Sequence, residues 1–426
     1  MNNPTKSAPN HRDFAGTPES GNGARRLDVA AIRKDFPILE SGIAYLDSAN
    51  TSQRPRQVTG AMMDYFEHFN SNIHRAAYHI AEVATERYEG TREKVRAFIN
   101  AASTKEIIYT RGTTEAINLV AYSWGRKNVR PGDLIVLTIL DHHSNIVPWQ
   151  ILAAANGAHI EYVDIDERGE LRQDQFRELL EHSPRLVAFG QVSNALGTIN
   201  PAREMVAAAK AAGSTVLVDG AQGAPHQGVD VQALGCDFYA FSGHKMLGPT
   251  GAGILYARRE LLEAMDPFQS GGDMIKTVRI EGTTYHDLPW KFEAGTQAIG
   301  EVIGLGAAVD YLDALGMDAV RAHEREITEY AYEALSDIEG LTVYGPPPSR
   351  RSGVVSFSLD GIHPHDLATI ADRDQVCLRA GHHCAMPLMT RLGVAATARA
   401  SFYVYTQKDE VDRLVGSIKE AQRIFK

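Results

Sequence analysis

Thr215-Val-Leu-Val-Asp-Gly-Ala-Gln222 and Phe238-Tyr-Ala-Phe-Ser-Gly-His-Lys245 decide the fold of this chain. Each is a short apolar run ending in glycine and polar groups, without polar–apolar alternation. A strand written this way is buried on both faces, as in parallel sheets covered by helices. The same style recurs at 106–110, 134–140, 159–164, 186–192 and 253–257. Helix-like stretches at 113–124, 147–155, 173–181 and 202–212 lie between these runs. Such alternation predicts an α/β fold with a mostly parallel sheet covered by helices. Ligands of such sheets sit at the carboxyl ends of the strands, so the turns after Thr110, Leu140, Val192, Asp219 and Phe241 are where chemistry is expected.

After about residue 300 the pattern changes. Long helical stretches (303–315 and 320–338) precede a strand at 354–359, a loop at 379–387 and a last helix at 408–424. This reads as a smaller α+β C-terminal domain, 301–426, after a large domain, 26–300, whose residues 26–42 are expected to pack on the small one. Residues 1–25 are rich in Asn, Pro, Ser and Gly and lack the apolar core of a signal peptide, so they read as a disordered tail.

The 426 residues are 44% hydrophobic and 23% charged, an ordinary globular balance. A net charge of −10 argues against nucleic acid or an anionic membrane as the main partner. Apolar runs fall short of a membrane span. Three cysteines (Cys236, Cys377 and Cys384) cannot form a disulfide framework in a chain this long, which favours a reducing, cytoplasmic setting.

The strand-end turns hold polar groups with a common theme. Arg111-Gly-Thr-Thr114 opens a helix, whose free N–H groups and dipole suit either a phosphate or a simple threonine cap. Asp219 ends an apolar strand, and a buried carboxylate there needs a cationic or hydrogen-bonding partner. Either backbone N–H groups or a protonated pyridine nitrogen would serve. Lys245 follows 26 positions later, between aromatic and glycine-rich runs that make poor company for a solvated amine. A lysine in such a site has a lowered pKa and can react with an aldehyde. Lysine, acid and helix-end phosphate loop together are what a pyridoxal 5'-phosphate (PLP) enzyme needs. His142, in Asp141-His-His-Ser-Asn145, could stack on a planar cofactor or cap the next helix. Arg379-Ala-Gly-His-His-Cys-Ala-Met-Pro387 places Cys384 in a Gly/His/Pro loop. That stretch reads as an exposed nucleophile, a buried inert thiol or a zinc site with His382 and His383. The zinc reading is weakened because neighbouring residues rarely converge on one ion. An unperturbed thiol is only about 3% thiolate at neutral pH, so a nucleophile here needs help from its surroundings.

Seven motifs in order carry a family resemblance: Arg111-Gly-Thr-Thr-Glu115, His142-His-Ser-Asn-Ile-Val-Pro-Trp149, Val192-Ser-Asn-Ala-Leu-Gly-Thr198, Asp219-Gly-Ala-Gln222, Ser242-Gly-His-Lys245, Phe292-Glu-Ala-Gly-Thr296 and Arg379-Ala-Gly-His-His-Cys-Ala385. From Leu27 onward the chain resembles the group II, SufS-type cysteine desulfurases of the class V aminotransferase family, PLP enzymes of fold type I. The resemblance implies that Lys245 carries the cofactor and then moves the Cα proton. Asp219 would face the pyridine nitrogen, Gln222 the ring oxygen and His142 the ring face. Thr113, Thr114, Ser242 and His244 would hold the phosphate, joined by Thr296 from the second subunit of a homodimer. Arg399, with Asn194 and Arg379, would bind the carboxylate of L-cysteine, and Cys384 would take its sulfur as a persulfide for iron–sulfur cluster assembly.

Two positions refine that pattern. Asn50, in Leu46-Asp-Ser-Ala-Asn50, stands where a small residue is expected. His365, in Ile362-His-Pro-His-Asp366, resembles the histidine of family members that hand sulfur to a zinc-bearing SufU-type acceptor, which is favoured here over a SufE-type one. Its other reading is a residue of a helix start at Pro364. Competing functions are a selenocysteine lyase or cysteine sulfinate lyase on the same scaffold, an aminotransferase or kynureninase-like enzyme, and a zinc-binding or scaffold protein in sulfur trafficking.

Overall fold

A computed structural model describes residues 26–74 and 77–425; the 1–25 segment expected as a disordered tail lies outside them. The main sheet has seven strands: β1 (Ile107–Thr110), β2 (Leu134–Thr138), β3 (His159–Val163), β4 (Leu186–Gly190), β5 (Thr215–Asp219), β6 (Phe238–Ser242) and β7 (Gly253–Ala257). Their order is β1-β7-β6-β5-β4-β2-β3, and only β7 runs antiparallel to its neighbours. Successive residues of the central strands enter opposite cores. Val187, Phe189, Val216, Val218 and Tyr239 face one, and Leu186, Ala188, Leu217, Phe238 and Ala240 face the other. That two-sided burial is why these strands read as continuous apolar runs. The mostly parallel α/β sheet is as expected.

The helix Ile299–Leu315 is apolar nearly all round and runs against Arg56–His68 and His79–Phe98. Its close approach requires glycine at 306, where a Cβ would lie 2.3 Å from Thr91 Oγ1. Neither of the two partner helices stands out in the sequence. The buried face of His79–Phe98 is Ala81, Ala84, Tyr88, Thr91, Arg92 and Val95, too small and too polar to give a clear apolar period. The helix expected at 113–124 is regular over Thr113–Leu119 and then widens into a π turn, Val120–Gly125.

A second sheet, antiparallel, comprises β8 (Leu341–Tyr344), β9 (Val354–Leu359), β10 (Arg379–Gly381) and β11 (Thr397–Ser401) in the order β8-β9-β11-β10. The stretch expected as a loop at 379–387 therefore begins as an edge strand and ends in the helix Met386–Leu392. Helices Met317–Ser336, Pro364–Arg373 and Lys408–Phe425 cover this sheet. The N-terminal segment lies between the two sheets' cores. Phe36 packs edge-on against Tyr405 and Tyr311, and Arg33 pairs with Glu410 at 3.0 Å. Among the described residues no helix is long and apolar enough to cross a membrane.

Glu293, from the Phe292–Thr296 motif, has a structural place. It takes two bonds from the buried Arg92, at 2.7 and 2.9 Å, and one from the Tyr109 N–H of β1 at 2.9 Å. Arg92 also donates to Ile107 O and lies 4.1 Å from the Tyr109 ring centroid. Arg92 keeps a second, less buried partner in Glu89 at 2.9 Å, so removing Glu293 breaks the more buried of its two ion pairs, which costs up to about 3–5 kcal/mol. Glu293→Ala is therefore expected to lose about that much stability in chemical denaturation, and a change of less than about 1 kcal/mol would contradict this assignment.

Candidate active site

At the carboxyl ends of β1, β2, β4, β5 and β6, where the second sheet's β10 and β11 meet the first, lies a cavity of about 240 Å³. Thr113, Thr114, His142, Asn194, Asp219, Gln222, Ser242, His244, Lys245, Arg379, Cys384 and Arg399 all line it, as do Asn50 and His383. Twelve sequence-expected residues are thus brought together. Thr296 is exposed and His365 is exposed in the first turn of Pro364–Arg373; neither lines this cavity.

One end is built for an anion. The Ser242 hydroxyl accepts from Thr113 N–H at 2.8 Å and lies 2.8 Å from Thr113 Oγ1, which pins the helix start to the end of β6. The pinned turn approaches β7 so closely that a Cβ on Gly253 would fall 2.3 Å from Gly112 Cα. A helix N-terminus with two threonine hydroxyls, a serine and His244 then faces the cavity.

Lys245 follows β6 on a short 3-10 turn. Burial pushes its ammonium down to about 8, with Arg399 and Arg379 adding to the fall and Asp219 opposing it. Asp219 itself is pushed up by burial, against a 2.9 Å bond from Ala221 N–H. His142 caps the turn after Leu140. Its Nδ1 accepts from Ser144 N–H at 3.1 Å, so in the neutral ring the proton sits on Nε2. Burial, then the nearby Lys245, pushes its pKa down to about 3, so the ring is neutral at working pH. The turn is set by Asp141, to which no motif gave a role. Its carboxylate accepts from Thr138 N–H and Oγ1, Asn145 Nδ2 and Gly190 N–H, tying β2 to β4 below the cavity.

The other end is lined by Arg399, Asn194 and His383. Arg399 is 1% exposed; it donates to Asn194 O at 2.8 Å and to Asp47 Oδ1 at 3.0 Å, and its Nε has no partner. Asn194 Oδ1 and His383 Nδ1 are likewise buried and unpartnered. Three orphaned polar atoms around one cavity mark a site shaped for a polar ligand. Asn50 donates to the second oxygen of Asp47 at 3.1 Å. It thereby holds the partner of Arg399, a role the motif pattern did not foretell.

Cys384 is half-buried, with left-handed backbone (φ 56°) that follows His383 in the same region (φ 52°). His382, His383 and Cys384 do not converge on one point. His383 Nε2 is 2.8 Å from Thr397 Oγ1, and His382 Nδ1 accepts from Cys384 N–H. Among the described residues no group of three or more His, Cys, Asp or Glu side chains is placed to hold a metal.

A low-pKa lysine, an acid at the strand end and a helix-start anion cradle suit a phosphorylated aromatic aldehyde, while the orphaned polar atoms suit an amino acid bound beside it. Similarity to known proteins points to the same class. Residues 44–414 match the family described as Aminotransferase class-V. A probable cysteine desulfurase of Halalkalibacterium halodurans is 50% identical over 404 residues, 94% of this chain and 99% of that protein. The cysteine desulfurase of Haloferax volcanii is 46% identical over 417 residues, 94% of this chain and 98% of that one. The crystal structure of the Escherichia coli cysteine desulfurase CsdA superposes with a TM-score of 0.89 at 39% identity, covering 94% of this chain and 100% of that chain. The chain belongs to the class-V aminotransferase family, and within it to the cysteine desulfurases.

The Lys245 environment sets a pH dependence. Only the neutral amine attacks an aldehyde, so PLP capture by cofactor-stripped protein should accelerate as pH rises, with its midpoint at about 8. Asp219 opposes the lowering, so Asp219→Asn should move the midpoint to lower pH. Stopped-flow absorbance of the bound cofactor between about pH 6 and about pH 10 reads both effects, and a midpoint near the ordinary lysine value would refute the assigned environment.

Proposed function

We propose that this chain is a PLP-dependent cysteine desulfurase that converts L-cysteine to L-alanine, holds the sulfur as a persulfide on Cys384 and donates it for iron–sulfur cluster assembly. The observation that carries the reading is that Cys384, on a left-handed turn after β10, lines the same cavity as the desolvated Lys245. Residues 26–300 supply the cofactor chemistry and 301–426 the sulfur chemistry.

PLP would be held by Thr113, Thr114, Ser242 and His244 at its phosphate, Asp219 and Gln222 at its ring and Lys245 by covalent attachment. When bound it supplies an electron sink. Arg399, with Asn194 and Arg379, orients the substrate carboxylate. Lys245 Nζ takes the Cα proton and later returns one. His142, neutral and with its proton on Nε2, covers the ring face and serves the proton transfers. The Cys384 thiolate attacks the substrate sulfur. An S–S bond forms and the substrate's C–S bond breaks, its electron pair staying with carbon, which gains a proton as L-alanine leaves. The carbon is reduced, and the two sulfurs are left at the persulfide level on Cys384.

Three further assignments belong to this reading. The chain acts as a homodimer, with Thr296 reaching the partner's phosphate site; its exposure outside its own cavity supports this. It works in the cytoplasm. His365 contacts a zinc-bearing SufU-type acceptor in preference to a SufE-type one, supported by its exposure at a helix start, stacked 5.4 Å from His363.

Cys384→Ala should lower alanine release from cysteine by at least about 10³-fold while keeping the cofactor absorbance, and Lys245→Ala should lose both. Full cysteine activity in Cys384→Ala, with selenocysteine or cysteine sulfinate preferred, would replace this reading by one of the lyase activities. His365→Ala should slow sulfur transfer to a SufU-type acceptor about tenfold with persulfide formation unchanged. Equal transfer by both proteins, followed by mass spectrometry of Cys384, would remove the acceptor assignment.

A further inference from the structure

His143 lies beside the cavity rather than in it, and the chemistry above leaves it idle. Its two polar groups nevertheless hold the backbone just past the thiol. Its backbone N–H donates to Cys384 O at 2.8 Å, and its ring Nε2 accepts from Met386 N–H at 3.0 Å. Met386 is the first residue of the helix Met386–Leu392, so its N–H lacks an intrahelical acceptor. The capping residue, Ala385, provides no side-chain cap. His143 therefore caps that helix from another domain, two residues past the carbonyl of Cys384 that it already binds. Behind the thiol, Asn194 Nδ2 donates to His383 O at 2.6 Å. The two residues with left-handed backbone, His383 and Cys384, are thus held from the large domain on both sides. For non-glycine residues that conformation is costly and persists only where surrounding contacts enforce it.

We propose that His143 is a positioning residue: as a hydrogen-bond acceptor for Met386 N–H, it clamps the Cys384 turn against the His142 loop and so fixes where the sulfur-accepting thiol stands. The inference rests on the proposed function for its meaning, but the clamp itself is a property of the loop. Because a backbone N–H can only donate, the ring must offer a lone pair at Nε2. A side chain that accepts at the same reach should replace it, and one that only donates should not. This chemical asymmetry separates positioning from bulk packing.

The test is the rate of iodoacetamide alkylation at Cys384 in the PLP-loaded protein, read peptide by peptide so that Cys236 and Cys377 do not contribute. His143→Ala should expose the turn and raise the rate about three- to tenfold, the opening expected on losing one hydrogen bond. His143→Gln, whose amide oxygen can accept, should return to within about twofold of the unsubstituted protein, whereas His143→Lys should behave like the alanine variant. The rate of alanine release, and with it of persulfide formation on Cys384, should fall in the same order. An unchanged alkylation rate in His143→Ala, or a glutamine variant as reactive as the lysine one, overturns the proposal. Should His143→Ala fail to fold, the glutamine and lysine pair, compared at equal thermal stability, separates the two outcomes in the same way. Absence of any persulfide in the unsubstituted protein would instead count against the desulfurase reading, and the alkylation series would still decide the clamp.

Discussion

Arg399 is the group on which the rest of the site depends. It projects from β11 of the small sheet, nearly without exposed surface, and its charge is met by Asp47 of the N-terminal segment and Asn194 O of the large domain. A buried cation stripped of its partners costs several kcal/mol. The second sheet therefore meets the first in a register that brings Asp47 and Asn194 to the guanidinium. That same register delivers Cys384, which leaves the neighbouring edge strand β10, to the mouth of the Lys245 cavity. Across the sheet Arg379 stands directly opposite Arg399. Like charges at opposed positions destabilise a sheet, and here both line a cavity with unpartnered polar atoms. Such a pair makes physical sense as a receptor for an anion.

The electrostatics extend this logic. Lys245, His142, His244 and His383 are all driven toward their neutral forms, chiefly by burial, with the neighbouring cations adding to it. Arginine resists that pressure best, and even Arg399 is pushed down to about 10. The result divides labour. Two guanidiniums and a helix start carry the positive field for anions, while the imidazoles stay neutral and the amine, lowered to about 8, is brought within reach of its neutral, nucleophilic form near working pH.

What the sequence made legible was what depends on local pattern. The two-sided strands, the turns that end them and the residues at those turns could be read because burial and chain direction fix them together. Lys245, Asp219 and Thr113 stood out for that reason. Cys384 did so only through the motif it belongs to, since nothing in its local run says which domain it will face. Helix His79–Phe98 stayed hidden because only Tyr88 and Val95 of its buried face are large and apolar, the rest being Ala81, Ala84, Thr91 and the ion-paired Arg92. Asp47 and His143 stayed hidden because their partners lie hundreds of residues away, at 399 and 386, while Asn50 stood out as an unusual residue but its bond to Asp47 sits in a turn whose geometry no local signal specifies.

The same is true of the least visible element, a buried chain that starts at Gln222. Ala49 O can only accept, so the amide nitrogen of Gln222 must face it, at 2.7 Å, and the amide oxygen must face His226 Nε2 at 3.2 Å. His226 Nε2 therefore carries a proton. Its Nδ1 lies 2.7 Å from Glu324 Oε1, and that contact needs one proton more, on either atom. The pair is either imidazolium–carboxylate or imidazole–carboxylic acid, and in both cases it holds one proton beyond neutral imidazole and carboxylate. Glu324 is fully buried on Met317–Ser336 and His226 nearly so, which shuts this proton away from solvent. With its oxygen claimed by His226 and one amide hydrogen by Ala49, Gln222 can offer the cavity only its remaining N–H. A donor is what an oxygen on a bound ring requires, and its orientation is fixed by Ala49 O, with His226 and the buried Glu324 completing the chain behind it.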